Sequence, residues 1–150
     1  MLKITECVQW LYSMILTIVT SLFGEHWFLF FLYLLLNIID MLTGWVKARI
    51  KNQESSAVAL IGILRKMGYW VMVLIAFLIP VGFKELGQII NIDLSITIFL
   101  GWFVLASLII NEFRSVLENL VEAGCKVPKI LIKGLEIAYK NIENIGEDNE

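Results

Sequence analysis

The sequence predicts an all-α integral membrane protein, a helical bundle of three to four transmembrane helices followed by a cytoplasmic amphipathic C-terminal helix. Three observations predict it. Apolar residues make up 59% of the 150-residue chain and charged residues 17%, against about 45–50% and about 25% in soluble globular chains. The mean hydropathy is +0.80. The charges are sorted into blocks that leave long uncharged runs between them. A soluble fold of this size would expose that apolar surface as large patches, so a water-soluble enzyme and a disordered segment are both excluded. A net charge of −2 excludes a general attraction to nucleic acid.

A helix crosses the hydrocarbon core with about 20 mostly apolar residues, within a range of about 17–25. Segments 27–46, 67–83 and 94–110 meet that requirement. Segment 7–23 is uncharged but carries Gln9, Ser13, Thr17, Thr20 and Ser21. It either spans or lies at the interface. The short Gly24-Glu25-His26 break favours a span hairpinned to the next helix. No small-residue cleavage site follows Leu22, so a cleaved signal peptide is not expected. The run from Phe28 to Leu36 does not alternate polar and apolar residues, which excludes barrel strands. Ser55 or Ser56 can cap the helix that follows them, and Pro80 can kink that helix near its outer end. Residues 1–110 thus form the transmembrane region and 111–150 the tail.

Lysine and arginine set the orientation, because cytoplasmic loops hold the positive charge. The stretch 47–66 contains Lys47, Arg49, Lys51, Arg65 and Lys66 against one acid, Glu54. With this loop in the cytoplasm, four spans put both termini inside. Eleven cations then lie inside and only Lys84 outside. If segment 7–23 does not span, the N-terminus moves outside and the rest is unchanged.

In the tail, Ile110, Phe113, Leu117, Leu120 and Val121 recur at helical spacing, so the last membrane helix continues past the bilayer. Gly124 is a stop and Pro128 a restart. Val127, Leu131, Leu135, Ala138, Ile142 and Ile145 then form a three-four stripe, with Lys129, Lys133, Glu136, Lys140 and Glu143 on other faces. A helix of this kind packs on protein or lies on a membrane surface.

The residues that invite a function cluster in one place. At about 100° per residue, Asn37, Asp40, Thr43, Gly44 and Lys47 share an arc of about 120° on one helix face. Asp40 lies about 9 Å inside Val46, where a carboxylate needs a partner or water. It either pairs with Arg65 or Lys66 and fixes helix packing, with Gly44 allowing close approach, or faces a water-filled space. Ser55, Ala59, Gly62 and Lys66 share a second small-residue face suited to packing. Ser13, Thr17 and Thr20 are spaced to form one wall of a wet space if polar faces meet between subunits. Catalytic, cofactor and metal residues are not expected. Cys7 and Cys125 lie far apart, His26 is the sole histidine, and neither a tight cysteine pattern nor a Ser–His arrangement is present.

Three blocks resemble a known family. They are Asn37-x-x-Asp40-x-x-Thr43-Gly44-x-x-Lys47-Ala48, then Ser55-Ser56 with Gly62-Ile63-Leu64-Arg65-Lys66, then Asn111-Glu112-Phe113-Arg114-Ser115-Val116-Leu117-Glu118-Asn119. Their order is similar to that of the phage holins in the toxin secretion/phage lysis group. The resemblance implies a non-enzymatic protein of the bacterial (host) cytoplasmic membrane. Such proteins form homo-oligomers and open lesions that release a cytoplasmic endolysin, or export a toxin. Two other classes fit the composition. A small ion channel or transporter subunit predicts selective conductance, and a membrane anchor recruiting a partner through its tail predicts none.

Overall fold

α1 spans Trp27–Ile50. Its polar residues do not break it, because they bond back to their own helix. Asn37 Nδ2 donates to Tyr33 O at 2.7 Å, and Thr43 Oγ1 donates to Ile39 O at 2.9 Å. This is how an apolar helix accommodates an amide and a hydroxyl. α1 ends where Asn52 turns left-handed, with φ 51, and Gln53 N–H returns to Ala48 O at 2.9 Å. Those features make a Schellman stop with asparagine in the position glycine usually holds. The structure is a computed structural model that describes residues 6, 8–14, 17 and 26–147.

α2 spans Ser56–Ile90 and runs through Pro80 without a break. It exceeds the segment 67–83 at both ends, because apolar residues 57–64 precede Arg65 and residues 84–88 contain no breaker other than Gly87. Ser55 holds the N-cap position in an extended conformation, but its side chain makes no capping bond. Asn91, at φ 58, ends the helix as Asn52 ends α1, with Ile92 N–H on Gly87 O at 3.0 Å. The next connection is short. Asp93 accepts Ser95 N–H at 2.9 Å and also the Ser95 hydroxyl. These two donors, the hydroxyl foremost, hold the Asp93 carboxyl below its usual range. A 3₁₀ turn at Ser95–Thr97 leads into α3, Ile98–Glu122. Gly124 then takes φ 90, a conformation that costs glycine no Cβ clash. α4, Lys129–Glu147, follows Pro128.

α3 is the central helix, with α1, α2 and α4 all packed against it. The core is aromatic. Tyr33 and Leu105 are fully buried, and Phe30, Val73 and Leu108 join them with Trp70, Phe77 and Trp102 at the edge. Ring centroids lie 4.9 Å apart for Tyr33–Trp70, 5.2 Å for Phe30–Phe77 and 5.0 Å for Phe77–Trp102. The approach of α2 to α3 depends on Gly101, where an added Cβ would lie 2.9 Å from the Phe77 ring. Lipid-like exposure dominates elsewhere. Residues such as Leu34, Leu42, Val71, Leu78 and Phe99 are exposed, as expected of helices solvated by acyl chains rather than water.

α1, α2 and the stretch Ser95–Glu122 are each long and apolar enough to cross a membrane. The protein is therefore an all-helical membrane protein with three candidate spans among the described residues. Residues 8–14 are helical; apart from these and Thr17, the expected additional span 7–23, Thr20 included, lies outside the described residues.

Candidate functional site

Three helices bring their ionisable residues to one level. α1 contributes Asp40, α2 contributes Lys66 and α3 contributes Glu112. Lys66 Nζ lies 3.0 Å from Asp40 Oδ2 and donates a second bond to Glu112 Oε2. Asn119, one turn past Ser115 on α3, donates Nδ2 to Asp40 Oδ1 at 2.9 Å. The same amide lies 3.4 Å from Thr43 Oγ1. Asn119 and Glu112 are buried, at 6% and 5% exposure. Asp40 and Lys66 side chains are nearly as enclosed, at 15% and 14%.

The local sequence explains the placement. Glu112 and Asn119 continue the inward face of α3 begun by Leu105 and Leu108, at intervals of three, four and seven residues. Lys66 sits where a long side chain can reach sideways past the small Gly62 surface. The resulting cluster holds two carboxylates against one ammonium, and both Asp40 oxygens are bonded. Breaking such a cluster leaves an uncompensated buried charge, which is far costlier than the cluster is stabilising. Its chemistry is that of an interlock. Among the described residues no three His, Cys, Asp or Glu side chains are grouped to hold a metal.

A cleft of about 650 Å³ opens beside the cluster between α2 and α3, lined by Asp40, Lys66, Tyr69, Glu112 and Ser115 among others. Toward the end of the bundle that carries loop 47–66, a second ionic contact closes α1 on α3. Glu122 lies 3.7 Å from Lys47 Nζ and also accepts Lys51.

Asn37 is buried on the same α1 face as Asp40, bonded to its own helix. Gly44 faces Asn119, but an added Cβ would meet the amide at an ordinary 3.5 Å, so this approach does not demand glycine. Arg65 is exposed and stands outside the cluster. A Cβ added at Gly62 would meet nothing within 4 Å, so within one protomer its small surface packs against nothing. Ser13 and Thr17 are exposed, and Thr17 Oγ1 bonds to Ser13 O at 2.8 Å. Pattern and spacing do not single out Glu112, Asn119 or Glu122 as site residues, although Glu112 and Asn119 fall within the third family-like block.

The profile of the bacteriophage holin family matches residues 17–140, a range that contains every member of the charge cluster. The chain belongs to the bacteriophage holin family. Among its relatives is an uncharacterised protein of Halalkalibacterium halodurans, 35% identical over 130 residues, covering 87% of this chain and 92% of that protein. Another is a probable holin of Bacillus phage phi105, 33% identical over 116 residues, covering 77% of each chain. No solved structure matches the chain significantly. Within this holin-family chain, all three helices that carry the cluster are also its candidate spans.

Proposed function

We propose that this holin-family protein oligomerises in the bacterial cytoplasmic membrane and permeabilises it. The lesion lets a cytoplasmic endolysin reach the cell wall, or exports a toxin. The C-terminal helix and the loop 47–66 lie on the cytoplasmic side. The match to the holin family across residues 17–140 carries this reading, together with the probable phage holin among the relatives.

The cluster supports a mechanism for timing. A protomer whose three spans are interlocked by Asp40, Lys66 and Glu112 pairs these charges internally rather than presenting them to lipid. Regrouping those polar faces between copies, with Ser13, Thr17 and Thr20 on one wall and Asn37 and Asp40 on another, would surround a wet space. The test is expression in bacteria together with a cytoplasmic endolysin. Abrupt endolysin release and lysis is the expected outcome, with Cys substituted at Thr17 and Asn37 reacting with impermeant thiol reagents only after onset. Selective ion current with the endolysin retained inside would instead mark a channel subunit.

A further inference from the structure

The charge cluster is not electrically closed within one protomer. Asp40 and Glu112 share the single Lys66 ammonium, so one negative charge is in excess. Asp40 has both oxygens engaged, one by Lys66 and one by Asn119. Glu112 has only Oε2 engaged, by Lys66. Its Oε1 has no hydrogen-bond partner among the described residues. Glu112 lines the cleft between α2 and α3, and so do Arg65 and Asn111.

Arg65 carries the matching charge. It is exposed and makes no ion pair or hydrogen bond among the described residues. It does not close its own cluster, because neighbouring residues on a helix point about 100° apart. Lys66 takes the direction toward Asp40 and Glu112, which leaves Arg65 at the rim of the cleft. Asn111 is exposed as well, and its amide is likewise unbonded among the described residues. One patch of the protomer thus presents an unpaired guanidinium, an unpaired carboxylate oxygen and an unpaired amide. Acyl chains offer none of them a hydrogen bond.

Two copies inserted in the same orientation stand level in a membrane. A two-fold axis along the membrane normal therefore sets Arg65 of one copy at the depth of Lys66 in the other, and hence of Glu112. A two-fold interface needs a patch that complements itself. This patch does so, because its free cation and its excess anion are different residues at one depth. Each guanidinium meets the opposite carboxylate, and both pairs form together. The exposed residues of α1 next to Asp40, Met41 and Leu42, carry no charge that could select a partner.

We propose that a second copy of this chain docks on the α2–α3 cleft. Arg65 of each copy enters beside Glu112 of the other, and the two Asn111 amides bond across the axis. The guanidinium suits this position because its planar fork bonds carboxylate and amide oxygens together. The Asp40–Lys66–Glu112 interlock of each protomer stays intact. The surface presupposes the oligomerisation proposed above and adds where the copies first meet. In micelles that hold one copy each, the contact is absent.

The test uses the full chain with Cys7→Ser and Cys125→Ser in phosphatidylcholine vesicles, at several copies per vesicle. Donor and acceptor dyes at Asn52→Cys, in the exposed loop, report association by energy transfer across a lipid dilution series. Arg65→Met and Glu112→Gln should each weaken association several-fold. The double variant should lose no more than the stronger single one, as expected of residues that act on each other. Circular dichroism confirms that each variant is folded. Independently of these charge changes, Asn111→Cys should join copies by a disulfide on oxidation, and Leu42→Cys should not. Unchanged association of Arg65→Met, or additive losses in the double variant, overturns the proposal. Crosslinking at 42 and not at 111 also overturns it and places the interface elsewhere, while oligomerisation itself stands. An effect of Arg65→Met confined to vesicles containing phosphatidylglycerol assigns Arg65 to a lipid phosphate and overturns it too. No energy transfer in the parent chain at any density removes the oligomerisation reading, and this surface with it.

Discussion

Lys66 is the residue on which the interior electrostatics turn. Asp40 and Glu112 both depend on it, and Asn119 supplies only a neutral donor. Lys66→Met should leave two enclosed carboxylates without a cation and destabilise the folded protein by about 3–5 kcal/mol, the range for a broken buried pair. Its neighbour Arg65 is exposed, so Arg65→Met should change stability by no more than about 0.5 kcal/mol. Denaturant unfolding in detergent micelles compares the two, and equal effects would remove Lys66 from its role. Asp40→Asn keeps a side chain that Asn119 and Lys66 can still approach but removes the charge, so it should shift lysis onset further than Glu54→Gln in the exposed loop. The sequence leaves Asp40 between Arg65 and Lys66, because adjacent residues on a helix differ by about 100° in direction and the rotation of α2 against α1 is a matter of packing. Glu112 is hidden for a different reason. It reads as the first charge after a membrane run, where charges usually meet water.

At the scale of elements, the helices end by one device used three times. Asn52, Asn91 and Gly124 each take a left-handed conformation, and a backbone N–H one residue on returns to the carbonyl five residues earlier. Only the glycine is legible as a stop, since asparagine adopts this conformation less readily. The extra length of α2 is equally hard to read. Its charges at 65–66 and 84–85 look like ends in a string of residues, yet neither pair interrupts helix geometry. The seam between α2 and α3 rests on Gly101 against Phe77. Gly101→Ala should strain that contact and cost about 1–3 kcal/mol, as overpacking does. Gly62→Ala meets nothing within 4 Å and should be neutral or stabilising by up to about 1 kcal/mol through helix propensity. Thermal unfolding of both variants in the same micelles checks the contrast. A loss at Gly62 matching that at Gly101 would mean that Gly62 is packed by another copy.

For the whole molecule, the uneven placement of lysine and arginine is the feature with the widest consequence. Eleven cations fall on one side of the expected topology and Lys84 on the other. Asn52 lies in the exposed loop, and Cys125 is an exposed free thiol after α3. In a Cys7→Ser background, Asn52→Cys and native Cys125 should react with an impermeant thiol reagent only once cells are opened. Lys84→Cys, in a chain with Cys125→Ser, should react in intact cells. Labelling of position 52 or 125 from outside would reverse the proposed orientation.

The sequence by itself determined that this chain is helical, that it lives in a membrane and where the uncharged spans lie. Those properties follow from composition and from the length needed to cross hydrocarbon, and both are additive along the chain. It also carried the order of blocks that marks the family. Only the tertiary structure decided that α3 is the central helix, that Lys66 rather than Arg65 meets Asp40, and that Glu112 and Asn119 complete the cluster. Those outcomes depend on the rotation and depth of one helix against another. Rotation and depth are set by aromatic packing at Tyr33, Trp70, Phe77 and Trp102, a sum over contacts between residues far apart in sequence, which no local pattern encodes.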